Sequence, residues 1–182
     1  MLNTWVVMPT CLPTVLRRCP ACDSDRFRAN GKFRVNANHK LLDAWLLVLC
    51  TACGDTAKLT VLERTNVRSV RPELLDRMHD NDPGLAAELL QDPVLRRRNR
   101  IALDWDDAWR LDTGGSDHVD HEVIDISVRF AARIPVRPVR LIAEGCGLSR
   151  AEVERLIAEG KLVSAVRLSG KLSGDFTFTL KR

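Results

Sequence analysis

CPACDSDRFRANGKFRVNANHKLLDAWLLVLCTACG, residues 19–54, decides the reading of this chain. It opens with one Cys-x-x-Cys pair, Cys19 and Cys22, and closes with another, Cys50 and Cys53, with 27 residues between Cys22 and Cys50. Two intervening residues let a tight turn aim two sulfurs at one point, and zinc favours four tetrahedral ligands with thiolates among its best. Between the pairs, Lys32-Phe33-Arg34-Val35-Asn36 alternates polar and apolar, and Ala44 to Leu49 is a continuous apolar run of strand length. A hairpin built from these two segments returns the second turn to the side of the first. Gly54 suits a turn that needs positive φ. The pattern predicts a zinc ribbon of β-hairpins over residues 1–66, with Cys19, Cys22, Cys50 and Cys53 as the metal ligands. Four protein ligands leave no open coordination position, so the zinc is expected to be structural.

The competing chemistry is thiol redox at one pair. That requires the pair to open a helix after a strand. Asp23-Ser24-Asp25-Arg26-Phe27 is a poor helix start, and two such pairs in a strand-rich region favour metal. Cys146 reads as a small core residue and Cys11 has no clear role. His118 and His121, with Asp117 and Asp120, form a weaker ligand cluster that reads better as solvated loop. His39 and His79 have no ligand partners in the sequence.

Further along, the third strand candidate is Leu59-Thr60-Val61. A helical, acidic middle region is expected over residues 67–121. Pro72, Asp82-Pro83 and Asp92-Pro93 each have the form of a helix start, the aspartates as N-caps with proline in the first turn. Trp105 and Trp109, four apart, suggest a buried helical stripe. Trp5 and Trp45 are expected to pack the ribbon. Thr113-Gly114-Gly115-Ser116-Asp117 reads as a loop. Residues 122–182 begin with the longest alternation in the chain, Ile124, Ile126, Val128, Phe130, Ala132 and Ile134, a strand ended by Pro135 and Pro138. A short helix around Leu141-Ile142 closes at Gly145 or Gly147. Ser149 and Glu152 form a capping box, Val153, Leu156 and Ile157 an apolar stripe, and Gly160 a helix stop. Val163 to Val166 and Phe176 to Leu180 complete a small sheet. The class is α+β: ribbon, helical middle, then a helix pair with a small β-sheet.

With 182 residues, 45% hydrophobic and 29% charged, the composition excludes collagen-like, coiled-coil and wholly disordered chains. No apolar run reaches the roughly 20 residues of a membrane span, so no membrane partner is expected. The first residues carry no early positive charge and no long apolar stretch, which reads against a secretory signal and for a cytoplasmic protein. In that setting six cysteines are thiols or metal ligands before they are disulfides. The net charge of +4 is uneven, since two basic ends flank an acidic middle. Such a layout suits a polyanion at the ends, or charge complementarity within one fold. Arg96-Arg97-Arg98-Asn99-Arg100 lies in the acidic third and is expected to pair within the protein. No phosphate loop, nucleophile elbow or HExxH motif is present, and Asp104, Asp106 and Asp107 read as a solvated helix start, so no enzyme is expected. Four Trp, five Phe and no Tyr offer no evident base-stacking platform.

CPAC, KFRVNANHKLLDAWLLVLC and TACG together resemble a bacterial family known as domain of unknown function 1062, over nearly the whole chain. The resemblance implies a zinc site and a bacterial cytosolic setting, and carries no activity. Arg140 to Glu144 and Gly147 to Gly160 resemble the small RNA-binding module of ribosomal small-subunit protein four, two short helices before a compact sheet. By position, that resemblance implies RNA contacts at Arg150, Arg155, Lys161, Arg167 and Lys171. The first helix is shorter than in that module, and Leu162-Val163-Ser164-Ala165-Val166 replaces its usual Val-x-Val-Asn-Gly. The resulting expectation is a non-enzymatic zinc protein that binds structured RNA, ribosomal or transfer. The alternatives are a zinc-ribbon adaptor for a protein partner, and a thiol redox or metal sensor.

Overall fold

The computed structural model describes residues 2–115 and 122–181, so the His118 and His121 cluster lies outside the described residues. The class is α+β, with helices and two five-stranded sheets. Contacts divide the chain into two compact units, Leu12–Asp104 and Met1–Cys11 with Trp105–Arg182. The division expected from the sequence, 1–66, 67–121 and 122–182, is corrected by two exchanges. The first strand joins the C-terminal unit, and the helical middle packs on the sheet that carries the cysteines.

In the unit Leu12–Asp104 the strands are β2 (Thr14–Leu16), β3 (Arg26–Asn38), β4 (Leu41–Cys50), β5 (Thr56–Asn66) and β6 (Ala102–Asp104). Their order is β5-β4-β3-β2-β6, antiparallel throughout. The helices α1 (Pro72–His79), α2 (Pro83–Gln91) and α3 (Pro93–Asn99) follow β5. Asp82 accepts from the N–H of Gly84 at 2.7 Å and Asp92 from that of Val94 at 2.8 Å, as the Asp-Pro pairs predict. The helices cover one sheet face, burying Val15, Phe27, Leu46, Val48 and Leu59 against Ala86 and Leu90. Period two sends Trp45, Leu47 and Leu49 to the other face, so Trp45 stands outside the core. Lys58 Nζ sits 5.0 Å from its ring centroid.

Side-chain amides repair this sheet where its backbone departs from regular pairing. The register of β3 against β4 shifts between Ala29 and Phe33, where Gly31 takes φ +75°. Asn81 Oδ1 accepts from the N–H of Phe33 at 2.8 Å beside that bulge. On β5, the Asn99 carboxamide accepts from the N–H of Thr60 at 2.7 Å and donates to its carbonyl at 3.0 Å, capping the sheet edge as another strand would.

The other unit has β1 (Leu2–Pro9), β7 (Trp109–Asp112), β8 (Val123–Phe130), β9 (Leu162–Ser164) and β10 (Phe176–Lys181) in the order β7-β1-β8-β10-β9. The pair β1 and β8 is parallel, and the other pairs are antiparallel. The helices are α4 (Pro138–Cys146) and α5 (Arg150–Ala158). Gly147 ends α4 at φ 66°, and Ser149 with Glu152 forms the reciprocal capping box of α5. Trp5 is fully buried here, edge-on to Phe178 at 5.5 Å, and does not pack the cysteine-bearing sheet. Trp105 sits in a turn closed by the Ala108 N–H on its carbonyl at 3.0 Å, and Trp109 begins β7, so the two do not form a helical stripe. The long strand stops at Phe130, earlier than the alternation implies. Ile134 is nevertheless fully buried, and Val136 bridges to Leu172. Among the described residues no helix is long and apolar enough to cross a membrane.

Candidate metal centre and basic cleft

The hairpin order explains how the four cysteines meet. Cys19 and Cys22 lie in the turn between β2 and β3, Cys50 ends β4, and Cys53 lies in the turn between β4 and β5. Because β3 and β4 are neighbours, with Phe27 opposite Cys50, the two turns share one end of the sheet. Their backbones follow one plan. The N–H of Cys19 donates to the carbonyl of Ser24 at 2.8 Å, and that of Cys50 to Asp55 at 2.8 Å, so each turn is closed five residues on. Gly54 at φ +76° completes the second turn, donating to the Cys50 carbonyl at 3.0 Å. Thr51 ties that turn to β3 through its N–H and hydroxyl, both donating to the Arg26 carbonyl, at 3.0 and 3.1 Å.

All four sulfurs lie within 4.8 Å of one another. The close pairs run across the turns: Cys19 Sγ to Cys53 Sγ is 3.7 Å and Cys22 Sγ to Cys50 Sγ is 3.6 Å. A sulfur–sulfur bond is about 2.05 Å, so these are not disulfides. A tetrahedron of thiolates at about 2.3 Å from zinc has edges of about 3.8 Å, and the cross-turn distances fit it. Electrostatics agrees with the geometry. The backbone N–H of Cys53, aided by that of Ala52, draws the Cys50 thiol down to about 6 against the cost of burial. The backbone N–H of Ser24 favours the Cys22 thiolate, but burial and the three neighbouring thiols outweigh it and push that thiol up to about 12. Cys53 is likewise raised: the Asp55 N–H lowers it, and burial with the Cys50 and Cys19 thiols prevails. Four sulfurs this close cannot all ionise unless a cation shares them. Cys19 and Cys50 are buried, Cys22 is half-buried and Cys53 is exposed. His39 and His79 are exposed and join no such cluster among the described residues. Cys11 is exposed, and Cys146, expected in the core, is half-buried beside a cavity of about 210 Å³.

The basic residues carried over by resemblance separate into groups. Arg150 and Arg167 line a cleft of about 580 Å³ together with Arg137, Arg140 and a single acid, Glu154. Arg155 instead pairs loosely with Glu159 at 3.9 Å and borders the smaller cavity. The helix explains the split, because five residues turn it by about 500° and leave Arg150 and Arg155 about 140° apart. Lys161 is engaged by Glu159 at 3.0 Å, which holds the Glu159 carboxyl below its usual range. Lys171 is exposed and does not line the cleft. Arg137 and Arg140 were not among the expected contacts. Arg137 is the N-cap of α4 in extended backbone and Arg140 lies in its first turn, so only the placement of α4 beside α5 brings both to the cleft. Arg140 also donates to the Asp106 carbonyl at 3.1 Å and stands 5.4 Å from the Trp109 ring centroid. Arg137, Arg150 and Arg167 make no ion pair among the described residues.

Asp104 pairs with Arg26 at 2.8 Å, and Asp106 lies 3.9 Å from Arg140, so these acids do not face one another as a carboxylate pair. In the arginine run, Arg98 donates to the Val61 carbonyl at 3.3 Å and Arg97 to that of Pro93 at 3.4 Å, which places backbone oxygens where acidic partners were expected.

A family model described as "Protein of unknown function (DUF1062)" matches residues 35–168, well over half of the chain. No curated protein and no solved structure matches it.

Proposed function

The chain belongs to the DUF1062 family, whose description carries no activity, and on that premise we propose that it is a non-enzymatic zinc protein that binds structured RNA through its C-terminal unit. Cys19, Cys22, Cys50 and Cys53 would hold one zinc ion in a ribbon-type site. A four-thiolate zinc closes its own coordination shell, so its chemistry is to hold the two turns together. Two facing pairs, rather than one pair opening a helix, support this over thiol redox.

The observation that carries the RNA reading is the arginine cleft. Arg137, Arg140, Arg150 and Arg167 converge from two helices and a loop on one concavity with one carboxylate among them. Guanidinium groups match phosphate oxygens with two parallel donors, and a rigid helix pair sets their spacing. The sequence resemblance of residues 140–144 and 147–160, which form most of α4 and α5, to the ribosomal module supports the same assignment. Structured ribosomal or transfer RNA is the class that a rigid, phosphate-reading surface selects.

Filter binding of bulk cellular RNA by the full zinc-loaded chain, at about 50 and about 200 mM salt, tests this. Affinity should fall steeply with salt, and the pair Arg150→Ala and Arg167→Ala should lower both the affinity and the salt slope. Arg155→Ala should change little. No binding at low salt, or equal binding by the double variant, overturns the RNA assignment. A partner that stays bound after ribonuclease treatment does so in favour of a protein adaptor.

A further inference from the structure

The unit Leu12–Asp104 has a second basic surface, independent of the arginine cleft. Its sheet buries one face under α1, α2 and α3, and the opposite face is open. Along β4 on that face run Trp45 and Leu47, both half-buried, and Leu49, 37% exposed. Basic side chains flank the row on both sides. On β3, Arg34 lies opposite Trp45 and Arg28 opposite Leu49. On β5, Lys58 lies opposite Leu47. Arg28, Arg34 and Lys58 are exposed and make no ion pair among the described residues. Of the acids beside them, Asp104 is ion-paired with Arg26 at 2.8 Å, while Asp43 accepts from the backbone N–H of Arg64 at 2.7 Å and keeps its charge.

We propose that this open face binds single-stranded nucleic acid, with a base stacked on Trp45 and the backbone phosphates against Arg28, Arg34 and Lys58. Charge complementarity selects the occupant. A protein segment would be served by the apolar row alone, whereas cations on both flanks of a central aromatic ring suit a chain of flat bases joined by anions. The partners of Arg28 and Arg34 are four residues apart on β4, about 13 Å along the strand. One strand crossing the face therefore meets them at different phosphates. Lys58 Nζ lies 5.0 Å from the indole centroid, so a base stacking there displaces it from the ring and its ammonium meets the phosphate instead. The sequence does not reveal this platform, because a Trp within an apolar run reads as core. Its half-buried place on the uncovered face follows only from which sheet face the helices cover.

The test uses the full zinc-loaded chain and end-labelled oligouridylate and oligothymidylate of about 12 nucleotides, read by anisotropy at about 50 and about 200 mM salt. Expected is salt-sensitive binding, weakened about tenfold or more by Trp45→Ala, kept by Trp45→Phe, and abolished by Arg28→Glu with Arg34→Glu. Arg150→Ala with Arg167→Ala should leave it unchanged, which separates this site from the cleft. Trp5, Trp105 and Trp109 are buried, so Trp45 is the indole whose fluorescence the oligonucleotide should quench. The proposal falls if neither oligonucleotide binds at low salt, or if the arginine double variant binds as well as the parent. It also falls if sedimentation shows a dimer in which Trp45 is protected.

Discussion

The unit Leu12–Asp104 takes four of its five strands as neighbours in chain order, β2 through β5, and its four cysteines sit at the two turns this meander brings together. The unit made from the two ends of the chain joins β1 to β8, more than a hundred residues later, as a parallel pair. It has no comparable ligand cluster among its described residues. Local pairing costs little loop-closure entropy, whereas the parallel pair must be held by its packed core and well-capped helices. A metal held by the four sulfurs would clip one unit together, whereas the other must rely on close packing around Trp5.

The largest expected effect comes from removing the clip. A structural zinc site contributes on the order of 10 kcal/mol or more, comparable with the whole stability of a small domain. Cys22→Ser with Cys53→Ser, or a strong chelator, should therefore unfold the unit Leu12–Asp104. Segment-resolved amide exchange should show protection lost in β3, β4 and β5 while β8, β10 and α4 of the other unit stay protected; unchanged protection in β3 to β5 would remove the metal from the account of stability.

The converse blow to the other unit is Gly145→Ala. A Cβ at Gly145 would lie 2.4 Å from two ring carbons of Trp5 and 2.9 Å from Leu111 Cδ2. Alanine gains about 1 kcal/mol of helix propensity over glycine, but overpacking a core costs about 1–3 kcal/mol and here meets a rigid, fully buried indole. The clash should win, lowering the melting temperature and the exchange protection of α4 and β1 while β3 to β5 hold theirs. A stabilised variant would show that α4 does not rest on Trp5 as described.

The same contrast sets what could be read from the sequence. The paired cysteine turns, the hairpin strands, the Asp-Pro caps and the Ser149 box are local signals, carried by residues within a few positions of one another, and each appears in the fold as read. The partners of β1 and β6 are not local. Nothing in residues 2–9 points to residues 123–130, so chain proximity assigned β1 to the wrong unit. Trp105 and Trp109 have helical spacing, yet pairing of β7 with β1 overrides it. The sulfur cluster was legible in full. The arginine cleft was legible in part, because Arg150 and Arg167 came with the resemblance while Arg137 and Arg140 needed the packing of α4 beside α5.

The smallest expected effect is an acid-sensitive tie confined to the unit Leu12–Asp104. Arg77 donates through Nε to Asp82 and through both terminal nitrogens to Glu88, at 3.1 and 2.9 Å. Hydrogen bonds from Arg77 hold the Asp82 and Glu88 carboxyls below the usual carboxylate range, in each case against the cost of burial. Carboxyls depressed in the folded state bind more protons when unfolded, so their stabilisation is present above about pH 4 and is lost as pH falls through the depressed values. The groups are largely solvated, so the effect is shallow and screened by salt. Arg77→Gln should flatten the acid limb of the stability profile for β3 to β5 and leave that of β8 and α4 unchanged. Asp82 also caps α2 through the Gly84 N–H, and glutamine at position 77 leaves that bond in place, so the variant separates the ion pair from the cap. An acid limb equally steep in the variant would assign the pH response to other carboxylates.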